Sequence, residues 1–225
     1  MSQQLFEAPT IKHPAKFTDV LLTEIQRHVE LGWRVLDPFA GTGRIHRLLG
    51  VETFGVEIEP EWANMHPRTI VGDALHLPFD SGSFDAIATS CTYGNRMADH
   101  HNARDDSRRM TYRHTLGRPL HEHNSGQLQW GRVYRSFHVE AWTEARRVLR
   151  PGGRFILNCS DHIRAGKVQH VSAWHIAALL GLGFRFAIDV QIKTPRMGFG
   201  ANAGARLGYE SVTVLELPPQ QGRFS

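Results

Sequence analysis

Two cysteines, Cys91 and Cys159, are all that the 225-residue sequence holds, too few for a disulfide framework, so a reducing, cytoplasmic setting is expected. The sequence contains no run of about 18 apolar residues. It also lacks a charged-then-apolar leader, and both absences argue against membrane insertion or secretion. No internal repeat is visible, and low-complexity sequence is confined to the loop-like stretch Pro218 to Ser225. The usual phosphate-binding signatures are missing as well. The turn Gly41-Thr42-Gly43 is not followed by Gly-Lys-Ser/Thr, which excludes a P-loop, and the third glycine of a dinucleotide fingerprint is replaced by His46. What is present suits one sizeable core in a single domain spanning residues 1–225, with 41% hydrophobic residues. A formal net charge of +4 and a pI near 9.4 modestly favour a polyanionic partner.

The most informative run is Val35-Leu36-Asp37-Pro38-Phe39-Ala40-Gly41-Thr42-Gly43. Trp33 to Leu36 reads as a buried parallel strand, with a carboxylate at its end and a glycine turn where a helix would begin. Pyrophosphate beside Asp37 would meet like charge, so a cationic nucleoside fits this turn better. Val51 to Val56 reads as a second strand ending at Glu57, 20 residues beyond Asp37, where an acid can hold ribose hydroxyls. Glu59 reads as a surface or helix-start residue. Thr69 to Ala74 reads as a third strand and turn, with Asp73 placed to accept from an adenine amino group. Phe84 to Ser90 is a fourth strand. Pro14 to Leu31 is expected as an amphipathic helix, Val133 to Leu149 as another, then strand Arg154 to Cys159, helix Ser172 to Leu180, and strands Phe184 to Ile192 and Glu210 to Leu217. This alternation is the signature of an α/β, doubly wound, mostly parallel sheet.

With these motifs in this order, the chain resembles the class I S-adenosylmethionine-dependent methyltransferases. The resemblance rests on Asp37 to Gly43, Glu57, Gly72-Asp73-Ala74 and the Arg147 to Arg154 helix end with its Pro-Gly-Gly turn. It implies a Rossmann-like seven-stranded sheet whose last strand is antiparallel, and S-adenosylmethionine as cofactor. The cofactor-binding residues it implies are Phe17, Asp37, Pro38, Phe39, Ala40, Gly41, Gly43, Glu57, Asp73 and Ala74. Within that class, the wording Asp-Pro-Phe-Ala-Gly-Thr-Gly resembles the amino-methylating DNA methyltransferases, which make N6-methyladenine or N4-methylcytosine. His13 to Phe17 looks like their N-terminal segment over the methionine end of the cofactor. Ser90-Cys91-Thr92-Tyr93 occupies the place of their Asp/Asn/Ser-Pro-Pro-Tyr/Phe tetrad, with both prolines replaced. By that resemblance, Ser90 Oγ and the Cys91 carbonyl accept the hydrogens of an exocyclic amine, and Tyr93 stacks on a base flipped from its helix. Methylation of an RNA base remains an alternative. So do a C5-pyrimidine route using Cys91 as a nucleophile and a catalytically silent module that binds cofactor and nucleic acid.

An insertion at about residues 94–132 interrupts the rhythm. From Thr92 to Arg135 there are eight arginines (96, 104, 108, 109, 113, 118, 132 and 135) against four acids. Tyr112, Trp130 and Tyr134 are interleaved with them, a pattern suited to phosphates and unstacked bases. Arg96, Arg104, Arg108, Arg109 and Arg113 are the expected substrate-binding residues. Nucleic acid, DNA ahead of RNA, is the expected partner. Histidines are dense here too, but His121-x-His123 lacks the partners of a zinc site, and no metal is expected. Gly198 to Arg206 reads as a flexible loop near the same pole.

Overall fold

The computed structural model describes residues 18–94, 111–194 and 207–219. Nine strands and five α-helices are defined within them: β1 Arg34–Asp37, β2 Glu52–Glu57, β3 Thr69–Val71, β4 Phe84–Ser90, β5 Leu149–Cys159, β6 His162–Arg164, β7 Lys167–Gln169, β8 Arg185–Lys193 and β9 Tyr209–Glu216, with α1 Asp19–Gln26, α2 Pro60–Ala63, α3 Tyr112–Leu116, α4 Arg132–Val148 and α5 Val171–Gly181. Seven strands form one sheet in the order β3-β2-β1-β4-β5-β9-β8. Pairing is parallel from β3 through β5, while β9 runs antiparallel to both of its neighbours. This is the α/β sheet expected from the sequence, with its last strand reversed.

Alternation along the central strands builds two cores. Leu36, Ile87, Phe155, Leu157 and Leu215 face one side and pack with Tyr134, Trp142, Ala145 and Val148 of α4. Val35, Ala86, Ala88, Ile156, Val212 and Val214 face the other and pack with Leu21, Leu22 and Ile25 of α1. Because the strands are sandwiched, their carboxyl ends are fixed, and every residue placed there inherits that fixity.

The helices depart from expectation on the β1 to β4 half. No α-helix follows Gly43; a 3-10 turn, Arg44–Arg47, leads to β2. Only eight residues separate Gly43 from Glu52, too few to run a helix along the sheet and return. α2 is one turn long, and β3 leads to β4 without a helix. The described part of the first helix is shorter than Pro14 to Leu31: Thr18 accepts from the Leu21 N–H and caps it, while residues 14–17 lie outside the described residues. β5 begins at Leu149, and its register shift between Phe84 and Ala86 absorbs the Pro151-Gly152-Gly153 turn inside the strand. The hairpin β6–β7 was not expected. Its turn uses Ala165 and Gly166, both with positive φ, in place of the Asn-Gly or Asp-Gly that would announce it.

His46 compensates for the missing helix. Buried below the glycine turn, it hydrogen-bonds Thr53 Oγ1 at 2.9 Å and Thr69 Oγ1 at 2.8 Å, and its ring stacks on His66 with centroids 3.8 Å apart. Burial, with the charges of His66 and Arg68, pushes its pKa down to about 4, so it is a neutral bolt between the turn and strands β2 and β3. Gly43 is required here: its φ is +74°, and a Cβ would lie 2.8 Å from His46 Cδ2 and 2.9 Å from His66 Cβ. His46→Ala is expected to lower unfolding free energy by about 2–4 kcal/mol in urea titrations followed by circular dichroism. An unchanged midpoint would remove this role.

Candidate cofactor and catalytic site

Asp37 ends β1, and only 1% of its surface is exposed. Its Oδ1 accepts from the Phe39 N–H at 3.0 Å and from Thr89 Oγ1 at 2.7 Å; Oδ2 takes neither bond. Burial raises its pKa to about 7, against the lowering effect of those two donors. Glu57, at the end of the adjacent strand, accepts from Gly41 N at 2.8 Å and from Glu59 N at 2.9 Å. Its pKa is also raised to about 7, by burial first and then, despite the two N–H donors, by the charges of Glu59 and Asp37. Glu57 therefore braces the glycine turn, and each of its oxygens keeps a second lone pair. For two desolvated acids this close, a neighbouring positive charge would be favourable and a negative one costly.

Asp73, at the third strand's end, is engaged on both oxygens. Oδ1 accepts from Leu75 N at 2.9 Å, and Oδ2 pairs with His123 Nδ1 at 2.7 Å. That bond to Asp73 holds the His123 pKa above its ordinary value. Pro38, Phe39, Ala40 and Gly41 line up behind Asp37, with Ala40 N donating to Val56 O at 2.9 Å, and Ala74 is buried beside Asp73. Phe17 lies outside the described residues.

The loop after β4 brings Ser90 to Tyr93 to the same pole. Ser90 Oγ is 3.3 Å from the Tyr93 hydroxyl. Tyr93 donates to Glu210 Oε2 at 2.9 Å, with Asn158 Oδ1 at 3.3 Å. Burial, followed by the charges of Glu210 and Cys159, keeps the phenol well above its usual pKa. The ring packs against the core on the α4 side, half-buried, with its hydroxyl tethered. Glu210 and Asn158 were not singled out from the sequence. They sit on neighbouring strands β9 and β5, and only the sheet register, Asn158 opposite Val212, brings them together.

Cys91 is 3% exposed. Its sulfur lies 3.4 Å from His175 Nε2 and 3.9 Å from the Tyr134 hydroxyl, turned to α4 and α5, which leaves it badly placed to attack a substrate ring. Cys91, His138 and His175 offer ligand atoms within 4.8 Å of one another. The hydrogen bonds oppose a metal there. Trp142 Nε1 donates to His175 Nδ1 at 3.0 Å, which leaves the proton of the neutral imidazole on Nε2, facing the Tyr134 oxygen at 2.8 Å. The Tyr134 hydroxyl in turn donates to the Thr92 carbonyl. That chain fixes the Thr92 carbonyl, and with it the loop after β4.

The described part of the insertion corrects several expectations. Tyr112 and Tyr134 are 4% and 0% exposed; both are core residues unavailable to bases. Arg118 is spent on Glu59 and Glu61: Nη2 meets Glu59 Oε2 at 2.7 Å and Nε meets Glu61 Oε1 at 2.7 Å. Glu59 is wholly buried, not a surface residue. It stands at the start of α2, as the helix-start reading had it, and its side chain accepts from His121 N at 2.8 Å and Asn124 Nδ2 at 2.7 Å. The segment from Arg118 to Asn124 is thus bound to Glu59, Glu61 and Asp73. Gly94, with φ +65°, lies so close to Trp130 that a Cβ would approach its nitrogen to 2.8 Å, and Trp130 N donates to Gly94 O at 3.0 Å, tying the ends of the insertion together. Arg113 is exposed on α3 and Trp130 is half-buried, with the Arg135 guanidinium 4.5 Å above its ring. Arg96, Arg104, Arg108 and Arg109 lie outside the described residues.

No protein-family model matches the sequence, and no curated protein matches it. Solved structures do. An S-adenosylmethionine-dependent methyltransferase from Methanosarcina mazei is 13% identical, with a TM-score of 0.57 over 88% of this chain and 98% of that one. The fold is that of the class I methyltransferases. A putative methyltransferase in complex with the Haloferax volcanii Trm112 methyltransferase activator is 16% identical, with a TM-score of 0.54 over 89% of this chain and 90% of that one. The cyclase SpnF has the same TM-score of 0.54 at 14% identity, over 89% of this chain and 82% of that one. The architecture therefore hosts more than one chemistry, and activity has to be argued from the site. Among the described residues, no helix is long and apolar enough to cross a membrane.

Asp37 gives a stability test with a definite sign. Because its folded pKa of about 7 lies above the ordinary 3.8, its protonated form favours the fold: the contribution is complete below about pH 4 and is lost as pH rises through 7. Asp37→Asn preserves an Oδ1 acceptor without the charge. Its stability relative to the wild type, both without ligand, is expected to rise between pH 5 and 8 by roughly 2–4 kcal/mol in denaturant titrations. A difference that does not vary with pH would show that Asp37 is already ionised at no cost.

Proposed function

We propose that the chain is an S-adenosylmethionine-dependent methyltransferase acting on the exocyclic amino group of a nucleic-acid base, with DNA placed ahead of RNA. One observation carries the reading: two buried carboxylates, Asp37 and Glu57, both with pKa near 7, end adjacent parallel strands beside a glycine turn. A neutral or anionic nucleotide offers nothing to offset that desolvation; a ligand bearing an ammonium and a sulfonium does.

When bound, the cofactor supplies an electrophilic methyl group. Asp37 Oδ2 would take its ammonium, the free lone pairs of Glu57 its ribose hydroxyls, and the Asp73 turn its adenine side, where His123 already occupies one oxygen. An exocyclic amine is a weak nucleophile because its lone pair is delocalised into the ring. Ser90 Oγ and the Cys91 carbonyl answer that by accepting its hydrogens, so that the lone pair turns out of the ring plane. Tyr93 of the tetrad and Trp130 beside Gly94 are both half-buried aromatic side chains, and exposed Arg113 suits phosphate. The Asp-Pro-Phe-Ala-Gly-Thr-Gly wording of the first turn supports DNA as the polymer.

Mass spectrometry of nucleosides from DNA and RNA of cells producing the wild type or Ser90→Ala tests this directly. Expected is N6-methyladenine or N4-methylcytosine in DNA with the wild type, reduced at least about tenfold by Ser90→Ala. Label confined to RNA would move the substrate to RNA. Methylation at pyrimidine C5, or at no base, would overturn the reading.

A further inference from the structure

An amine that gains a methyl group must also lose a proton, and the tetrad alone provides no place for it. Ser90 Oγ is a hydroxyl, and neither it nor a peptide carbonyl can retain a proton near neutrality. The hydrogen bonds behind Ser90 do lead to the Glu210 carboxylate, a base that can accept it. The phenol of Tyr93 donates to Glu210 Oε2 at 2.9 Å, so its oxygen is left to accept, and Ser90 Oγ stands 3.3 Å away on the accepting side. Asn158 Nδ2 donates to the same Glu210 oxygen at 3.2 Å and to Ser211 O at 3.3 Å, which fixes the carboxylate at the end of the row. With the Tyr93 proton directed to Glu210, the row can run one way, from Ser90 through Tyr93 to the carboxylate.

We propose that Ser90, Tyr93 and Glu210 form a proton relay that carries the amine's proton from the methyl-transfer site to the Glu210 carboxylate. This rests on the amine-methylation reading above. As the new N–C bond forms and the cofactor's S–CH3 bond breaks, the amine proton passes to Ser90 Oγ. The Ser90 hydroxyl proton moves to the Tyr93 oxygen, and the Tyr93 proton moves to Glu210. The products are methylated base, neutral thioether cofactor and a protonated Glu210, which returns its proton to water between turnovers. Serine and tyrosine end as they began, with one hydrogen each. Tyr93 serves without ionising, in keeping with a phenol held in its protonated form. The same geometry explains why the Tyr93 hydroxyl is tethered.

The test uses the full chain, tritiated S-adenosylmethionine and unmethylated plasmid DNA, or bulk tRNA if that polymer takes the label. Glu210→Gln keeps the shape and an acceptor for Tyr93 but cannot hold the proton; Tyr93→Phe keeps the ring but breaks the row. Both are expected to lower kcat by roughly ten- to a hundredfold while KM for cofactor and polymer stays within about twofold, a split that loss of structure would not produce. Glu210→Ala is expected to regain activity in added formate, and Tyr93→Phe to gain nothing from it. An active wild type whose Glu210→Gln and Tyr93→Phe variants keep full kcat overturns the relay alone. A wild type that transfers methyl to neither polymer overturns the amine-methylation reading and the relay together.

Discussion

Everything at the carboxyl end of this sheet depends on the cost of burying Asp37 and Glu57 side by side. A lone ionised carboxylate is expensive to remove from water, and here two sit on adjacent strands with pKa values of about 7. Three local backbone N–H groups and one hydroxyl serve them: Phe39 N and Thr89 Oγ1 on Asp37, Gly41 N and Glu59 N on Glu57. These bonds define the path of the turn from Asp37 to Gly43, which must present its N–H groups to carboxylates. The turn is then held from below by His46. A site that stays costly when empty is one that a cation completes.

The strand ends were legible from the sequence, because each is an apolar run closed by a carboxylate or serine, and burial leaves little room for another register. Asp37, Glu57, Asp73 and Ser90 accordingly lie at the expected pole. The helices between the early strands were not legible. Gly43 looked like a helix start, but chain length between β1 and β2 overrides the local signal, and a pair of histidines fills the space. The burial of Glu59 was not legible because its partners Arg118 and Asn124 are 59 and 65 residues away, a pairing with no local signature. Tyr134 could have been assigned to the core: with His138, Ala141, Trp142, Ala145 and Val148 it forms one buried stripe of α4, and helical spacing gives that away.

The loop after β4 carries Cys91 and Thr92, and its rigidity has a physical source. It is held from beneath, by Trp142, His175 and Tyr134 ending on the Thr92 carbonyl. Position 91 carries a small side chain that fills the space against His175. The described half of the insertion likewise belongs to the body of the protein, anchored by Glu59 and by the Gly94–Trp130 contact, and its burial of Tyr112 leaves fewer aromatic faces for bases than composition suggested.

The central claim is that Asp37, buried beside Glu57, receives the positive charge of S-adenosylmethionine. Isothermal titration of this cofactor into the wild type at pH 5.5 and 7.5, in buffers of different ionisation enthalpy, measures it most directly. Deprotonation of Asp37 should tighten binding by about tenfold or more over that interval, with proton release on binding at the lower pH. Asp37→Asn should bind more weakly and lose most of the pH dependence. Affinity that is absent, or that is equal at both pH values and unaffected by Asp37→Asn, would contradict the account.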